Sequence, residues 1–258
     1  MTLPLSFSTI GSGPPLIILH GLFGSSVNWR RIAQELSTER QIFLVDLPNH
    51  GKSRWIEDMS YPSMANAVFQ WMRSEGIENP SMIGHSMGGK VAMTLALSQV
   101  DALSAIAVID IAPVTYSHSH TDVVDAMMRI PLDEVRSRKE ASEFLQRDIP
   151  DNALRQFLLQ NLIVESEGIR WRINLPVIRR QMNVLTGFPP VVGVYTGPAL
   201  FLYGRNSDYV RQDGIGCAKR YFPSAVFTGI TNAGHWLHAE EPEQTVDAIR
   251  QFLSPSPT

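Results

Sequence analysis

Residues 81–97 read SMIGHSMGGKVAMTLAL, and this stretch decides the fold. Its start, residues 81–84, is a short apolar run that predicts a buried strand, and residues 88–97 have the spacing of a helix. Between them, Gly84-His85-Ser86-Met87-Gly88 matches the pattern Gly-x-Ser-x-Gly, which in a strand-to-helix turn is typical of a nucleophile elbow. The alternative is a glycine-rich turn with a chance serine, but the placement favours Ser86 as a nucleophile.

Working outward from the elbow, short apolar runs alternate with helical patterns. Strands are predicted at residues 16–20, 41–46, 102–111, 199–203 and 225–229, and helices at 27–36, 61–75 and 242–253. Strands that are apolar on both faces and alternate with helices favour a mostly parallel sheet flanked by helices, the α/β class.

The alternation stops between Val114 and Pro190. Helical patterns at 122–129, 139–147 and 153–164 dominate there, and we find no candidate for a buried strand. Ligands of such sheets bind outside the carboxyl ends of the strands, where an insertion can cover them. We therefore predict a core of residues 1–113 and 191–258 and a helical cap, or lid, of residues 114–190.

Composition excludes several classes of function. The chain has 258 residues with 22 Lys and Arg against 25 Asp and Glu, a net charge of −3, so there is no basic excess to bind nucleic acid. The single cysteine, Cys217, cannot form an internal disulfide or a zinc cluster. We see no secretory signal and no membrane span. We expect a cytoplasmic monomer or small homo-oligomer without stable membrane association, metal or organic cofactor.

A serine nucleophile needs a base and donors for the oxyanion. His235 lies after the last predicted strand and before the last helix, which fits the chain order of a Ser-acid-His triad. His238 is interpreted as a surface or capping residue. The turn at residues 20–24 predicts that the backbone N–H of Leu22 forms one half of an oxyanion hole, and the N–H of Met87 forms the other.

Together these segments resemble the α/β-hydrolase fold family over nearly the whole chain outside the cap. HGLFGSSVNW (20–29), DLPNHGKS (46–53), IGHSMGGKVAM (83–93), IDIAPVTY (109–116) and AGHWLHAE (233–240) are similar to the bacterial YbfF-type esterases. The resemblance implies a lidded carboxylester hydrolase that acts on short acyl esters, with acyl-CoA thioesters as further small-molecule substrates.

The third triad member departs from the commonest pattern of that fold. The usual acid follows the penultimate strand, three residues after a glycine, but here Ser207 holds that position and Asp208 comes one residue late. The resembled subgroup implies Asp110 as the acid, with Ser207 assisting it. Asp110 sits inside a very apolar predicted strand, where a carboxylate is costly unless it has a partner such as a histidine. We favour Asp110 and keep Asp208 as the alternative.

Three aromatic residues are predicted to line the substrate pocket: Phe23, Trp171 and Trp236. They flank the catalytic turns or lie in the cap, although aromatic residues at such positions are more often simply part of the core. Three other functions stay open on the same residues: hydrolysis of a carbon–carbon bond, a lyase reaction, and a hydrolase-like ligand receptor, because the fold does not decide the reaction.

Overall fold

The central sheet has seven strands within residues 4–166 and 168–254, the part of the chain that this computed structural model describes. Its strands are β1 (Phe7–Ile10), β2 (Pro15–Leu19), β3 (Gln41–Val45), β4 (Ser81–His85), β5 (Ala105–Ile109), β8 (Ala199–Gly204) and β9 (Ala225–Ile230). The spatial order is β1-β3-β2-β4-β5-β8-β9. Only the first pair, β1 with β3, is antiparallel. The predicted α/β class and mostly parallel sheet are thus confirmed.

Helices cover both faces of the sheet. They are α1 (Arg30–Leu36), α2 (Tyr61–Ser74), α3 (Met87–Ser98), α8 (Gln212–Tyr221), α9 (Leu237–Glu240) and α10 (Pro242–Leu253). Helices α2 and α3 pack on one face and α1 and α10 on the other, because the apolar strands bury side chains on both sides. None of the helices in residues 4–166 and 168–254 is both long and apolar enough to span a bilayer.

The predicted strands and helices of the core lie close to their observed positions, but one strand has different bounds, and β1, α8 and α9 are not predicted. The strand predicted at 102–111 is shorter: β5 ends at Ile109, so Asp110 lies in the turn beyond it. Strand β1 has no counterpart in our prediction. Its four residues, FSTI, are all exposed, so they lack the apolar pattern of a buried strand.

The insertion between β5 and β8 contains four helices and a hairpin within residues 114–166 and 168–190. The helices are α4 (Thr121–Met128), α5 (Arg138–Leu145), α6 (Asn152–Leu159) and α7 (Leu175–Thr186), and the hairpin joins β6 (Leu162–Glu165) to β7 (Gly168–Trp171). The helix predicted at 153–164 is wrong in its second half, because helix α6 ends at Leu159 and residues 162–165 form β6. The exposed hairpin was missed because its strands are not apolar on both faces.

Polar contacts join the insertion to the core. The Asn161 side chain donates to the carbonyl of Phe23 at 2.7 Å, and the hydroxyl of Tyr61 donates to the carbonyl of Leu185 at 2.6 Å. The buried apolar residues of α4 to α7 also belong to the same cluster as those of α2 and α3. The insertion is therefore packed onto the α2–α3 side of the sheet, next to the turn that follows β4. Its division from the core as a cap domain stays a prediction.

Candidate active site

Ser86 occupies a strained turn between β4 and α3. Its backbone has φ 52° and ψ −115°, a conformation that is uncommon for residues other than glycine and that clusters at functional sites. The Ser86 N–H donates to the carbonyl of Ile109 at 3.0 Å, which ties the turn to β5. Gly88 makes the close approach possible, because a Cβ at that position would lie 2.6 Å from the backbone oxygens of Leu19 and His20. The pattern thus forms the sharp turn that the sequence predicts.

Asp110 lies just beyond β5 and is fully buried. Its φ of 49° also places it in the left-handed region, which turns the side chain toward the strand tips. Oδ1 accepts the backbone N–H of Gly204 at 3.0 Å. Oδ2 accepts two donors, the hydroxyl of Ser207 and Nδ1 of His235, the latter at 2.7 Å. Every contact stabilises the carboxylate, so this buried charge is compensated.

The imidazole of His235 is fixed from two sides. Because the Asp110 carboxylate can only accept, Nδ1 carries the proton and Nε2 keeps its lone pair. The ring of Tyr209 stacks on the His235 ring with centroids 4.0 Å apart and planes 21° apart. This orientation presents Nε2 as a potential proton acceptor in the cavity that His235 shares with Ser86.

Asp208 lies outside this arrangement. Its side chain is 85% exposed and forms an ion pair with Arg211 at 2.7 Å. Asp110 therefore contacts His235 and is itself bound by Ser207, whereas Asp208 faces solvent. The one-residue offset from the usual acid position turns the Asp208 side chain away from the imidazole.

Two further histidines surround His235 without competing for its role. His85 donates from Nε2 to the backbone carbonyl of His235 at 2.9 Å, which supports the loop. The prediction of His238 as a surface residue is wrong, because it is buried and stacks on Trp29 with centroids 4.4 Å apart. Burial lowers the pKa of His238 to about 3 and the pKa of His85 well below its usual value. Both imidazoles therefore stay neutral near pH 7.

The two predicted oxyanion donors belong to Leu22 and Met87, which line a small cavity together with Ser86. Met87 is the first residue of α3, so its N–H points out of the helix N-terminus, where the dipole favours negative charge. Leu22 lies in the turn after β2, which His20 braces by accepting the N–H of Leu47 at 3.0 Å. A Cβ on Gly21 would lie 2.8 Å from Nδ1 of His85 and 3.2 Å from Cβ of Ser86, so the glycine lets this turn lie close to the nucleophile.

A cavity of about 180 Å³ opens beside Ser86 and His235. Its walls include two of the predicted aromatic residues, Phe23 and Trp236, together with apolar residues of the insertion. The prediction for Trp171 is wrong in its location, because Trp171 lines a separate groove with Trp55. Trp171 is the last residue of β7, in the hairpin that the sequence does not indicate.

Sequence reasoning missed three residues near Ser86: Lys90, His120 and Tyr209. Lys90 is 1% exposed, and its Nζ donates to the carbonyls of Thr186, at 2.9 Å, and Gly187. Burial lowers its pKa to about 7. A signal for Lys90 was present, because helix α3 is apolar nearly all round and must therefore be buried. No comparable pattern marks His120, which lines the cavity, or Tyr209.

Within residues 4–166 and 168–254, no three side chains among His, Cys, Asp and Glu are grouped so as to hold a metal ion. One end of the sheet thus brings together a serine in a strained turn and a histidine hydrogen-bonded to a buried carboxylate.

Comparisons with known proteins identify the family of this chain. A family model described as the α/β hydrolase fold matches residues 14–147. The chain is 39% identical to the sn-1-specific diacylglycerol lipase ABHD11 of Xenopus laevis, covering 93% of this chain and 80% of that protein. It is 34% identical to esterase YbfF of Escherichia coli strain K12, covering 93% of each. A solved marine microorganism esterase superposes with a TM-score of 0.94 at 40% identity, covering 97% of this chain and all of that one. The chain thus belongs to the α/β-hydrolase fold family, as a serine hydrolase of the esterase and lipase type.

Proposed function

We propose that this enzyme hydrolyses carboxylic esters through an acyl-enzyme formed on Ser86. The observation that carries the proposal is the hydrogen bond between Asp110 and His235 in a cavity that also contains Ser86. A serine hydroxyl is a weak nucleophile without an adjacent base, and a histidine held in one tautomer by a carboxylate supplies that base.

In the first half of the reaction, Ser86 Oγ forms a bond to the ester carbonyl carbon while its proton passes to His235 Nε2. The carbonyl oxygen becomes an oxyanion, which the N–H groups of Leu22 and Met87 bind. One such donor contributes about 3 to 4 kcal/mol to the transition state in other serine hydrolases. His235 then gives its proton to the leaving oxygen as the carbon–oxygen bond breaks, and the alcohol departs.

In the second half, water replaces the alcohol. His235 takes a proton from water while the hydroxide oxygen bonds to the acyl carbon. The second tetrahedral intermediate collapses, the bond to Ser86 Oγ breaks, and the proton on His235 returns to that oxygen. The products are a carboxylic acid and the free enzyme. Asp110 stabilises the imidazolium that forms in each half without being protonated itself.

Thioesters such as acyl-CoA fit the same sequence of steps, because a thiol leaves from the same kind of tetrahedral intermediate. One feature supports a long leaving group: an open groove outside the cavity shares Asn28, Phe157, Trp236 and His238 with it. A leaving group that exceeds the cavity has a path to the surface there. The relatives named as diacylglycerol lipases favour an ester of a lipid alcohol as the other substrate class.

The proposal is tested by replacing the nucleophile. Ser86→Ala is expected to abolish turnover of p-nitrophenyl butyrate and labelling by a fluorophosphonate probe, because the variant lacks the oxygen that both reagents modify. Ser119→Ala, which changes an exposed serine of the insertion, is the matched control and is expected to keep both properties. Stoichiometric labelling of the Ser86→Ala protein would place the nucleophile elsewhere.

The same assay separates an enzyme from a receptor with slow chemistry. An esterase continues to release p-nitrophenol for many equivalents, whereas a receptor stops after a burst of about one equivalent because the acyl-enzyme persists. A burst followed by no further release would contradict the proposed function.

A further inference from the structure

One surface of the protein combines two tryptophans with a surplus of positive charge. Trp55 and Trp171 line a groove of about 700 Å³, and a second groove of about 590 Å³ shares Trp55 and Pro176 with it. The charged residues that line the two grooves are Lys52, Arg54, Arg170, Arg172, Arg180, Glu57 and Glu165. We call these charged residues and the two tryptophans the basic aromatic face.

The face stays positive after its own ion pairs are counted. Glu57 pairs with Arg180, and Glu165 pairs with Arg170 at 3.5 Å. The other cations of the face form no ion pair within the part of the chain that the structure describes. The whole chain, by contrast, carries a net charge of −3. Positive charge is therefore concentrated on this face, which attracts a negatively charged surface that the molecule as a whole would repel.

Trp55 is exposed on a loop that is itself firmly held. The buried side chain of Asn49 donates to the carbonyl of Ile56 at 2.9 Å and accepts its N–H at 2.8 Å. Asn174, the N-cap of α7, donates to Asn49 from both its backbone and its side chain at 3.0 Å. Trp55 is nevertheless 50% exposed. Burying its ring against a partner is favourable and costs little ordering entropy, because the loop is already held in place.

We propose that the basic aromatic face docks onto the surface of a bilayer that contains anionic phospholipids. Lysine and arginine side chains are attracted to the negative potential of such a surface, and tryptophan is enriched at the boundary between headgroups and acyl chains. The face supplies both kinds of side chain on one side of the molecule. The attachment is peripheral and reversible, because stable anchoring needs a stronger signal than a few charges and exposed rings.

The basic aromatic face is also continuous with the catalytic cavity. Arg172 lines both the groove beside Trp171 and the open groove described above. Phe157 and Trp236 line both that open groove and the cavity that contains Ser86. A lipid ester that leaves the bilayer at this face has a path to the nucleophile, which favours a bilayer over a nucleic acid as the partner. This delivery step, unlike the docking itself, rests on the proposed function.

Cosedimentation with vesicles tests the docking. Wild-type protein is expected to sediment with vesicles of equal parts phosphatidylcholine and phosphatidylglycerol at low salt, to be released at high salt, and to stay in solution with phosphatidylcholine alone. Lys52→Glu/Arg54→Glu is expected to lower the binding constant at least tenfold, since each cation near an anionic surface contributes roughly fivefold. Lys139→Glu/Arg220→Glu, which reverses two exposed cations that line neither groove, is the matched control and should bind within threefold of the wild type.

The aromatic part of the face is tested in the same way. Trp55→Ala is expected to weaken binding at least fivefold, whereas Phe144→Ala, which removes a 43% exposed ring outside the two grooves, should leave it unchanged. All these side chains are exposed, so the variants are expected to fold, and a thermal melt verifies this. The Ser86→Ala protein should bind vesicles as the wild type does, because docking does not require turnover.

Three results would overturn the proposal. The wild type might not sediment with anionic vesicles at low salt, or the control pair Lys139→Glu/Arg220→Glu might lose as much binding as Lys52→Glu/Arg54→Glu, which would reflect net charge alone. Unchanged binding by Trp55→Ala, together with equal binding to a DNA duplex, would identify a purely electrostatic face that serves any polyanion. Failure of the proposed function gives a different result: vesicle binding would persist while the wild type failed to hydrolyse p-nitrophenyl butyrate.

Discussion

Three residues near the carboxyl ends of the strands share an uncommon backbone conformation. Phe23, Ser86 and Asp110 all have φ between 49° and 62°, although none is a glycine. Each such residue costs about 1 to 3 kcal/mol, which the surrounding structure has to offset. Ser86 and Asp110 each gain a backbone hydrogen bond there, from Ser86 N–H to Ile109 and from Asp110 N–H to Leu202. The strain turns the hydroxyl and the carboxylate out of the sheet.

The identity of the acid is tested at this scale. Asp110→Asn is expected to lower kcat more than a hundredfold, because an amide can donate to Nδ1 and so favour the wrong tautomer of His235. The equivalent change in a serine protease costs about 10⁴. Asp208→Asn is expected to change kcat less than about tenfold, equivalent to 1.4 kcal/mol, because its side chain faces solvent. Steady-state kinetics on one ester measures both.

Ser207→Ala belongs to the same series and is expected to fall between these two variants. The Ser207 hydroxyl donates a hydrogen bond to the Asp110 carboxylate but carries no charge. Its loss therefore removes one hydrogen bond that positions the carboxylate, while the carboxylate itself stays. If Asp208→Asn were the inactive variant and Asp110→Asn nearly normal, the assignment of Asp110 would be wrong.

At the scale of elements, the contact between α3 and the end of α7 links the nucleophile turn to the insertion. Lys90 lies one helical turn after Ser86, and its Nζ lies 4.8 Å from the centre of the Tyr116 ring while it holds the carbonyls of Thr186 and Gly187. Cations are favourable at a helix C-terminus, where α7 leaves its last carbonyls without helical partners. The end of α7 is thus held in place directly above the helix that begins at the elbow.

This contact has a measurable dependence on pH. Because burial lowers the native pKa of Lys90 to about 7, the unfolded chain binds more protons than the native protein between pH 7 and about 10.4. Stability relative to Lys90→Met is therefore expected to rise with pH above 7, by at most about 1.4 kcal/mol per pH unit. Urea denaturation of both proteins at pH 6, 7.5 and 9 measures the difference.

Lys139→Met is the control for that measurement. Lys139 lies on α5 with its side chain 87% exposed, so its charge has nearly the same surroundings in the folded and unfolded chains. Its stability curve should run parallel to that of the wild type. If the free energy of unfolding of Lys90→Met also ran parallel to that of the wild type across this pH range, the Lys90 charge would be solvated in the native protein.

Hydrogen exchange is expected to differ between the elements of the insertion and those of the sheet. Pro131 and Pro150 separate α4, α5 and α6 into short pieces, which open more readily than strands in the middle of the sheet. Amides of α5 and α6 should therefore exchange faster than those of β3 and β5. Those at the end of α7, where Tyr61 and Lys90 bind the carbonyls, should be intermediate. Equal protection in all these elements would contradict a mobile lid.

Over the whole molecule, the sequence predicts the buried parts better than the exposed ones. Apolar runs such as residues 16–19 indicate strands because both faces of a parallel sheet are buried, and the elbow adds a motif. The exposed strand β1 and the β6–β7 hairpin carry no such pattern.

The site is predictable only in part, for a related reason. Ser86 and His235 are marked by their local sequence, whereas the contacts of Asp110 depend on where three separate turns converge. From the residues alone Asp110 and Asp208 both stay possible. The resemblance to an esterase subgroup and the apolar surroundings of Asp110 in the sequence favour Asp110. Tyr209 stacks on His235 through tertiary packing that no local pattern encodes.

The insertion separates the neighbouring strands β5 and β8 in the sequence, and this order has a consequence for biosynthesis. Strand β5 pairs with β8, and Ile106 lies opposite Ala199. The hydrogen bonds between these strands therefore cannot form until the chain up to β8 has been synthesised. On the ribosome, the half of the sheet up to β5 emerges with one edge unpaired, and Asp110 emerges long before Gly204, Ser207 and His235, which compensate its charge. Closing so long a loop is slow, and an open edge invites pairing with other chains. A nascent chain stalled within the insertion is therefore expected to bind chaperones, and the catalytic arrangement forms only after His235 has emerged.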